Sequence, residues 1–301
     1  MSPAATVTGK SDTSSTMYST GVNYPLPASI KEHARLEEQS VCLADLMGRT
    51  YHAPLPAAPT LLLDIGCGTG VVTTYLGNTF PTANVYGIDL SPVPQIHHPP
   101  PNVKYIQGDI HELSSLDPRI VQGAADLSFG RLLVCGIRDW LSCIVAMKNL
   151  VKPGAWVELQ DLNNRLFDSD NKRVDVNMEW MRVLRASLES KGLDPDAGIN
   201  ARKYMEKAGL VDIQSWEYKW TVGPWLADQE PQTRRFGEFE GREMKNPLAH
   251  LLEELPDGEI YGDKLKQSLQ HQMRKDMEPK KTGEKGIYFT FTVTIGRRSF
   301  E

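Results

Sequence analysis

Hydrophobic and polar positions alternate along this chain in two distinct periods. Residues 30–47 place Ile30, Ala34, Val41, Ala44, Leu46 and Met47 against a wet face of Lys31, Glu32, Arg35, Glu37 and Glu38, which predicts an amphipathic helix. Pro54, Pro56 and Pro59 end that segment. Residues 60–65 (TLLLDI) then form a short apolar run that stops in glycines, the pattern of a buried parallel strand. A helix over 71–78 follows, then strands over 85–90, 103–107 and 126–129, a helix over 140–150 and a strand over 155–160. Strands alternating with helices in this way predict a parallel, doubly wound sheet.

The second half is more mixed. Helices are predicted over 176–191, 201–208, 237–255 and 261–277. Residues 211–222 read as a strand with Trp216, Tyr218 and Trp220 on alternate positions. In residues 288–295, Phe289, Phe291, Val293 and Ile295 alternate with Thr290, Thr292 and Thr294, a period-2 strand. No internal repeat or linker divides the chain. The organisation expected is a tail over 1–16, a lid segment over 17–59 and one α/β domain over 60–301, with a helical insertion over 223–285 on the substrate side.

Composition narrows the class. The 301 residues carry 33 Lys+Arg and 38 Asp+Glu, a formal charge of −5, which argues against broad nucleic-acid binding. The four cysteines, Cys42, Cys67, Cys135 and Cys143, have neither CxxC nor zinc-finger spacing, so a reducing compartment is expected. No stretch approaches the ~18 apolar residues of a membrane span. The first sixteen residues lack an apolar leader core. A cytoplasmic or nuclear location is the expectation.

The sharpest chemical signal is Asp64-Ile65-Gly66-Cys67-Gly68-Thr69-Gly70, a glycine-rich turn between a strand and a helix. Its spacing is GxGxG, and it lacks the Lys-Ser/Thr of a phosphate loop. Asp64 would repel a pyrophosphate but suits a ligand with an ammonium group. Asp89 ends the second strand, where a carboxylate can take two ribose hydroxyls. Asp109 ends the third, within reach of an adenine amine. The competing reading makes Asp89 and Asp109 helix N-caps.

These motifs resemble those of class I S-adenosylmethionine-dependent methyltransferases. DIGCGTG resembles their first motif, IDLSP the second, QGDIHEL the third and KNLVKPGAWVELQD the segment around the fifth strand. Tyr24-Pro25-Leu26-Pro27, Arg35-Leu36, Gln39, Gly130-Arg131-Leu132-Leu133, Asp139-Trp140 and Trp156-Val157-Glu158-Leu159-Gln160 are similar to the fungal LaeA-like branch, over roughly residues 20–162. Ser40 stands where that branch usually has a His. The resemblance implies a Rossmann-like seven-stranded sheet of order 3-2-1-4-5-7-6, helices on both faces, an antiparallel last strand, and S-adenosylmethionine as cofactor with S-adenosylhomocysteine as product. It assigns Asp64, Gly66, Cys67, Gly68, Gly70, Asp89, Leu90, Gly108, Asp109 and Ile110 to the cofactor, with Tyr24 closing over it from the lid.

Methyl transfer needs an acceptor held in line with the methyl group, and much of the rate comes from that orientation. Arg131 follows the fourth strand and is a candidate for the carboxylate of the cofactor or of an acceptor; its alternative is a surface salt bridge. Glu158 and Gln160 leave the fifth strand on one face and are candidates to position or deprotonate the acceptor, or else pair with neighbouring backbone. Tyr24 otherwise packs on the sheet edge. Trp225 lines a pocket or sits in the core, and His111 is a base or a helix cap. His97-His98 has no metal-ligand spacing, so no metal is expected. The reading is transfer to an oxygen or nitrogen of a small molecule in fungal secondary metabolism. Its alternative is a LaeA-like regulator acting through a partner protein.

Overall fold

The computed structural model describes residues 29–113, 117–256 and 261–300. Helix α1, Ile30–Met47, starts where the Ser29 side chain accepts from Glu32 N at 3.2 Å and stops at Gly48 in the left-handed region. Strands β1 (Leu61–Ile65), β2 (Asn84–Asp89), β3 (Val103–Gln107), β4 (Ala125–Arg131) and β5 (Val151–Asp168) are parallel neighbours, linked among others by α2 (Val71–Thr79) and α3 (Trp140–Leu150). Then come α4 (Glu179–Ser190), α5 (Ala197–Lys207), β6 (Leu210–Thr221), α6 (Thr233–Glu243), α7 (Lys245–Glu253), α8 (Asp263–Asp276) and β7 (Ile287–Arg298). The sheet order is β3-β2-β1-β4-β5-β7-β6, with β7 antiparallel to both neighbours. This is the Rossmann-like class I order that the resemblance implied.

Both faces of the sheet are covered. In β1, Leu61, Leu63 and Ile65 pack with α3 and α5, while Leu62 on the other face packs with α2. A third cluster joins α1, α4, α6, α7 and α8 over Trp220, Phe289 and Phe291 at the β6–β7 end. Trp225 belongs to the interior: it is 5% exposed, and its Nε1 donates to the Ile287 carbonyl at 3.1 Å.

Several elements differ from the predicted bounds for local reasons. The helix expected over 237–255 is two helices, with Pro247 in the first turn of α7, where its missing N–H leaves no bond unmade. α4 starts later than expected because Asp175 turns its buried carboxyl to Arg173 and to Leu166 N. β5 runs well past residue 160 because β7 pairs with it as far as Asp168↔Ile287. The tail over 1–16 and Tyr24 lie outside the described residues. No described helix is long and apolar enough to cross a membrane.

α1 closes over the C-terminal edge of the sheet and is stapled to α6. Arg235 bonds Asp45 and Arg242 bonds Glu38, each at 2.6 Å. Below these exposed pairs lies Glu240, 1% exposed. Burial pushes its carboxyl up to about 7, against the pull of Trp220, Arg35 and Gln39. Because the folded value exceeds the unfolded value of about 4.3, ionisation of Glu240 drains stability as pH rises through that window, and the loss is complete above it. Glu240→Gln is expected to melt above the wild type at pH 8, by on the order of 3 kcal/mol, with the gap closing toward pH 5. Thermal unfolding at the two pH values checks this; a gap independent of pH contradicts it.

Candidate functional site

A cavity of about 600 Å³ opens at the C-terminal ends of β1, β2 and β4. It sits where the strand order reverses, the crevice in which open α/β sheets hold ligands. α1 forms its roof, the glycine loop its floor, and residues 131–139 its far wall.

The loop is folded back on β2: the N–H groups of Gly66 and Cys67 both donate to the Ile88 carbonyl, at 2.7 and 3.0 Å. Gly68 has φ +56°, and a Cβ there would point into open space on the cavity side. A ligand can therefore approach this backbone closely. Gly66 also lines the cavity, and its hydrogen faces Leu133. Gly70, assigned by the resemblance to the cofactor, is not part of the lining; a Cβ there would meet the Tyr105 hydroxyl. Cys67 does line the cavity, but burial pushes its thiol well up, away from thiolate chemistry.

The three carboxylates converge on this space. Asp64 is 3% exposed and accepts from Thr73 Oγ1 at 2.6 Å. Burial pushes it up to about 6, while Thr73 and Arg131 hold it down. A buried carboxyl with no cation in bonding contact among the described residues suits an ammonium-bearing ligand. Asp89 accepts from Gly68 N and Ser91 N, each at 2.8 Å, and so ties the loop to the end of β2 while lining the cavity. Asp109 caps the single 3-10 turn Ile110–Glu112, accepting from His111 N at 2.9 Å, and also lines the cavity. The cap reading and the cavity reading thus hold together. Leu90, Gly108 and Ile110 complete this side.

Arg131 is not a surface ion pair. The residue lines the cavity, its Nη2 donates to Ser40 Oγ at 2.6 Å, and the buried Nη1 has no acceptor among the described residues. Burial pulls it down to about 10, opposed by Asp64, Glu158 and Glu37.

Glu158 and Gln160 take the second of their two readings and pair with neighbouring backbone. Neither lines the cavity. Glu158, fully buried, accepts from His52 N at 2.9 and 2.8 Å, from Ala53 N at 2.8 Å and from Gln160 Nε2 at 2.7 Å. Gln160 also donates to the Thr50 carbonyl at 2.9 Å. The pair holds the segment between α1 and β1 and has no access to an acceptor. Among the described residues no group of metal-ligating side chains forms a site, and His97 pairs instead with Glu37 of α1 at 3.0 Å.

Sequence reasoning missed most of the roof. Glu32, His33, Leu36, Gln39, Ser40 and Leu43 all line the cavity from α1. Their spacing is that of one helix face, but not the face that the apolar pattern predicted: Ile30 and Val41 are exposed, and Glu32, expected on the wet face, lines the cavity. It was missed also that Leu132 takes φ +56°, a costly conformation for a branched side chain, where β4 ends in the cavity wall.

The family model for a methyltransferase domain matches residues 43–215. Methyltransferase pytC of Aspergillus terreus is 29% identical over 221 residues, 72% of this chain and 66% of that protein. Secondary metabolism regulator laeA of Coprinopsis cinerea is 26% identical over 213 residues, 65% of this chain and 52% of that protein. Methyltransferase str2 of Strobilurus tenacellus is 28% identical over 204 residues, 67% of this chain and 72% of that protein. The chain thus spans less than two thirds of pytC and of laeA. Among solved structures, Haemonchus contortus phosphoethanolamine N-methyltransferase 2 in complex with S-adenosyl-L-methionine superposes with TM-score 0.49 at 14% identity, over 93% of this chain and 55% of that one.

If Glu158 is a structural anchor, Glu158→Gln leaves backbone donors poorly satisfied and lowers stability by about 1–3 kcal/mol. Affinity of the folded variant for S-adenosylhomocysteine is expected to stay within about twofold of the wild type. Denaturant unfolding and calorimetry check the two halves; a stable protein that has lost only turnover contradicts the anchor.

Proposed function

The chain belongs to the methyltransferase family, with S-adenosylmethionine as its cofactor, and we propose that it methylates an oxygen or nitrogen of a small acceptor in fungal secondary metabolism. The observation that carries this reading is the roofed cavity itself. Its volume of about 600 Å³ lies in the range of small-molecule sites. Its walls away from the carboxylates are largely apolar, with Leu36, Leu43, Leu132, Leu133 and Ile137. A site closed by a helix suits an acceptor that enters whole. The fungal relatives pytC and str2, both methyltransferases by name, support methyl transfer as the reaction.

In this reading Asp64 takes the ammonium of the cofactor, Asp89 its ribose hydroxyls, and Asp109 with Ile110 the adenine edge. When bound, the cofactor supplies an electrophilic methyl group on a sulfonium. The chain's own residues orient and desolvate. Gly68 allows close approach to the backbone, Arg131 supplies positive charge at the end of β4, and the leucines of α1 and of the β4–α3 connection exclude water. Orientation of this kind is worth about 7–11 kcal/mol in favourable cases.

Three measurements follow. S-adenosylhomocysteine affinity is expected to fall as pH drops below about 6, because the free protein then holds Asp64 protonated and the ammonium loses its counter-charge. Calorimetry of the wild type and Asp64→Asn across pH 5–8 checks this; equal pH dependence in both contradicts the placement. Asp89→Ala is expected to weaken the same ligand more than about tenfold. The acceptor class is tested with methyl-labelled S-adenosylmethionine and a fungal extract, separating small molecules from protein before counting. Label in the small-molecule fraction supports the proposal. Label confined to protein overturns it in favour of the regulatory reading that the laeA relatives represent.

A further inference from the structure

Ser40 has no role in any of the readings above, yet it makes the one hydrogen bond to the Arg131 guanidinium found among the described residues. It is 7% exposed, lies on the cavity face of α1, and contacts a residue at the end of β4 far away in sequence. A guanidinium carries five N–H donors in a rigid fork. Here Nη2 is fixed by Ser40 at 2.6 Å, while Nη1 is buried and has no acceptor among the described residues. No carboxylate lies within ion-pair distance of Arg131 among the described residues, although part of its guanidinium is buried and a buried charge is normally paired. Asp64 shows the complementary condition: it lines the same cavity, is buried, and among the described residues is held by the hydroxyl and backbone of the neutral Thr73 and by no cation in bonding contact. The two groups feel each other's charge without touching, since each shifts the other's titration.

A buried carboxylate and a half-buried guanidinium lining one cavity are complementary to a zwitterionic α-amino acid. We propose that Ser40 is a positioning residue: it holds Arg131 so that the free side of the guanidinium receives the carboxylate of the cofactor's amino-acid end while Asp64 receives its ammonium. The proposal rests on the cofactor placement above and deepens it. It also explains what the hydroxyl at position 40 does. A serine accepts a hydrogen bond from a cation, whereas a protonated imidazole there would repel it. Because Ser40 belongs to the roof, the contact makes the docking of α1 and the reading of the amino-acid end a single event. Arg35, Glu37 and Gln39 flank Ser40 on the helix, but Gln39 alone of these shares the cavity lining with it.

The test compares two ligands that differ only at that end: S-adenosylhomocysteine, and 5′-methylthioadenosine, which lacks the amino-acid group. Both are titrated by calorimetry into the wild type, Ser40→Ala, Ser40→Thr, Arg131→Gln and the Ser40→Ala/Arg131→Gln double variant. The wild type is expected to bind S-adenosylhomocysteine at least about tenfold more tightly than methylthioadenosine. Ser40→Ala is expected to weaken S-adenosylhomocysteine by about five- to tenfold and methylthioadenosine by less than about twofold, with Ser40→Thr restoring the difference. The double variant is expected to be no weaker than Arg131→Gln alone, since Ser40 acts through Arg131.

Equal weakening of both ligands by Ser40→Ala would make its role merely structural and overturn the proposal. Wild-type protein that binds both ligands equally would also overturn it while leaving the cofactor site standing. Wild-type protein that binds neither would remove the cofactor placement, and the proposal with it.

Discussion

Two buried carboxylates on β5, Glu158 and Asp161, fix the segments that lead into and wall the cavity. Glu158 accepts the N–H groups of His52 and Ala53 and so sets the path from the roof helix into β1. Asp161 accepts from Leu133 N at 2.8 Å and Leu162 N at 2.9 Å, and Leu133 is part of the cavity wall. Neither carboxylate has a Lys or Arg partner within ion-pair distance among the described residues. Burial drives Asp161 up to about 7, and it is the backbone donors that hold it down. A buried carboxylate satisfied by backbone N–H groups fixes chain position more tightly than a surface ion pair, since losing the acceptor strands several donors at once.

With β5 as this reference, the rest of the site follows from topology. The strand order reverses between β1 and β4, and the connections after the two strands diverge to leave a crevice. The glycine loop after β1 curls back onto the Ile88 carbonyl, and Asp89 clamps it through Gly68 N. The connection after β4 turns through Leu132 in a left-handed conformation, held by its N–H on the Gln160 carbonyl at 2.9 Å. β7, filling the place between β5 and β6, carries the phenylalanines on which α6 and the roof helix pack. The walls are therefore tied by hydrogen bonds to the sheet, and the roof is held mainly by Cys42, Leu43, Leu46 and Met47 packing in one core with Phe236 and Phe239 of α6, with exposed ion pairs and Ser40 at its edges.

Much of this was legible in the sequence. The TLLLDI run, the glycine spacing and the carboxylates that follow each early strand placed the floor of the cavity, because period, turn chemistry and acidic position all depend on local sequence. The sheet order came through the resemblance. Glu158 and Gln160 stayed open between two readings for a definite reason: alternation shows that two residues share a face of a strand, but not whether that face meets a cavity or a loop packed from far away. The loop that covers them lies more than a hundred residues earlier in the chain. Trp225 went into the core through a partner strand that no local pattern names. α1 was visible as a helix, but its apolar pattern pointed to Ile30 and Val41, which are exposed, and the roof face appeared only when the fold put Arg131 beneath Ser40.

The most direct measurement is a crystal structure of the protein with S-adenosylhomocysteine. The account predicts the ligand beneath α1, with its ammonium on Asp64, its ribose on Asp89, its adenine beside Asp109 and Ile110, and its carboxylate on Arg131. A ligand bound outside this cavity, or bound within it in the reverse direction along the strand ends, would contradict the account.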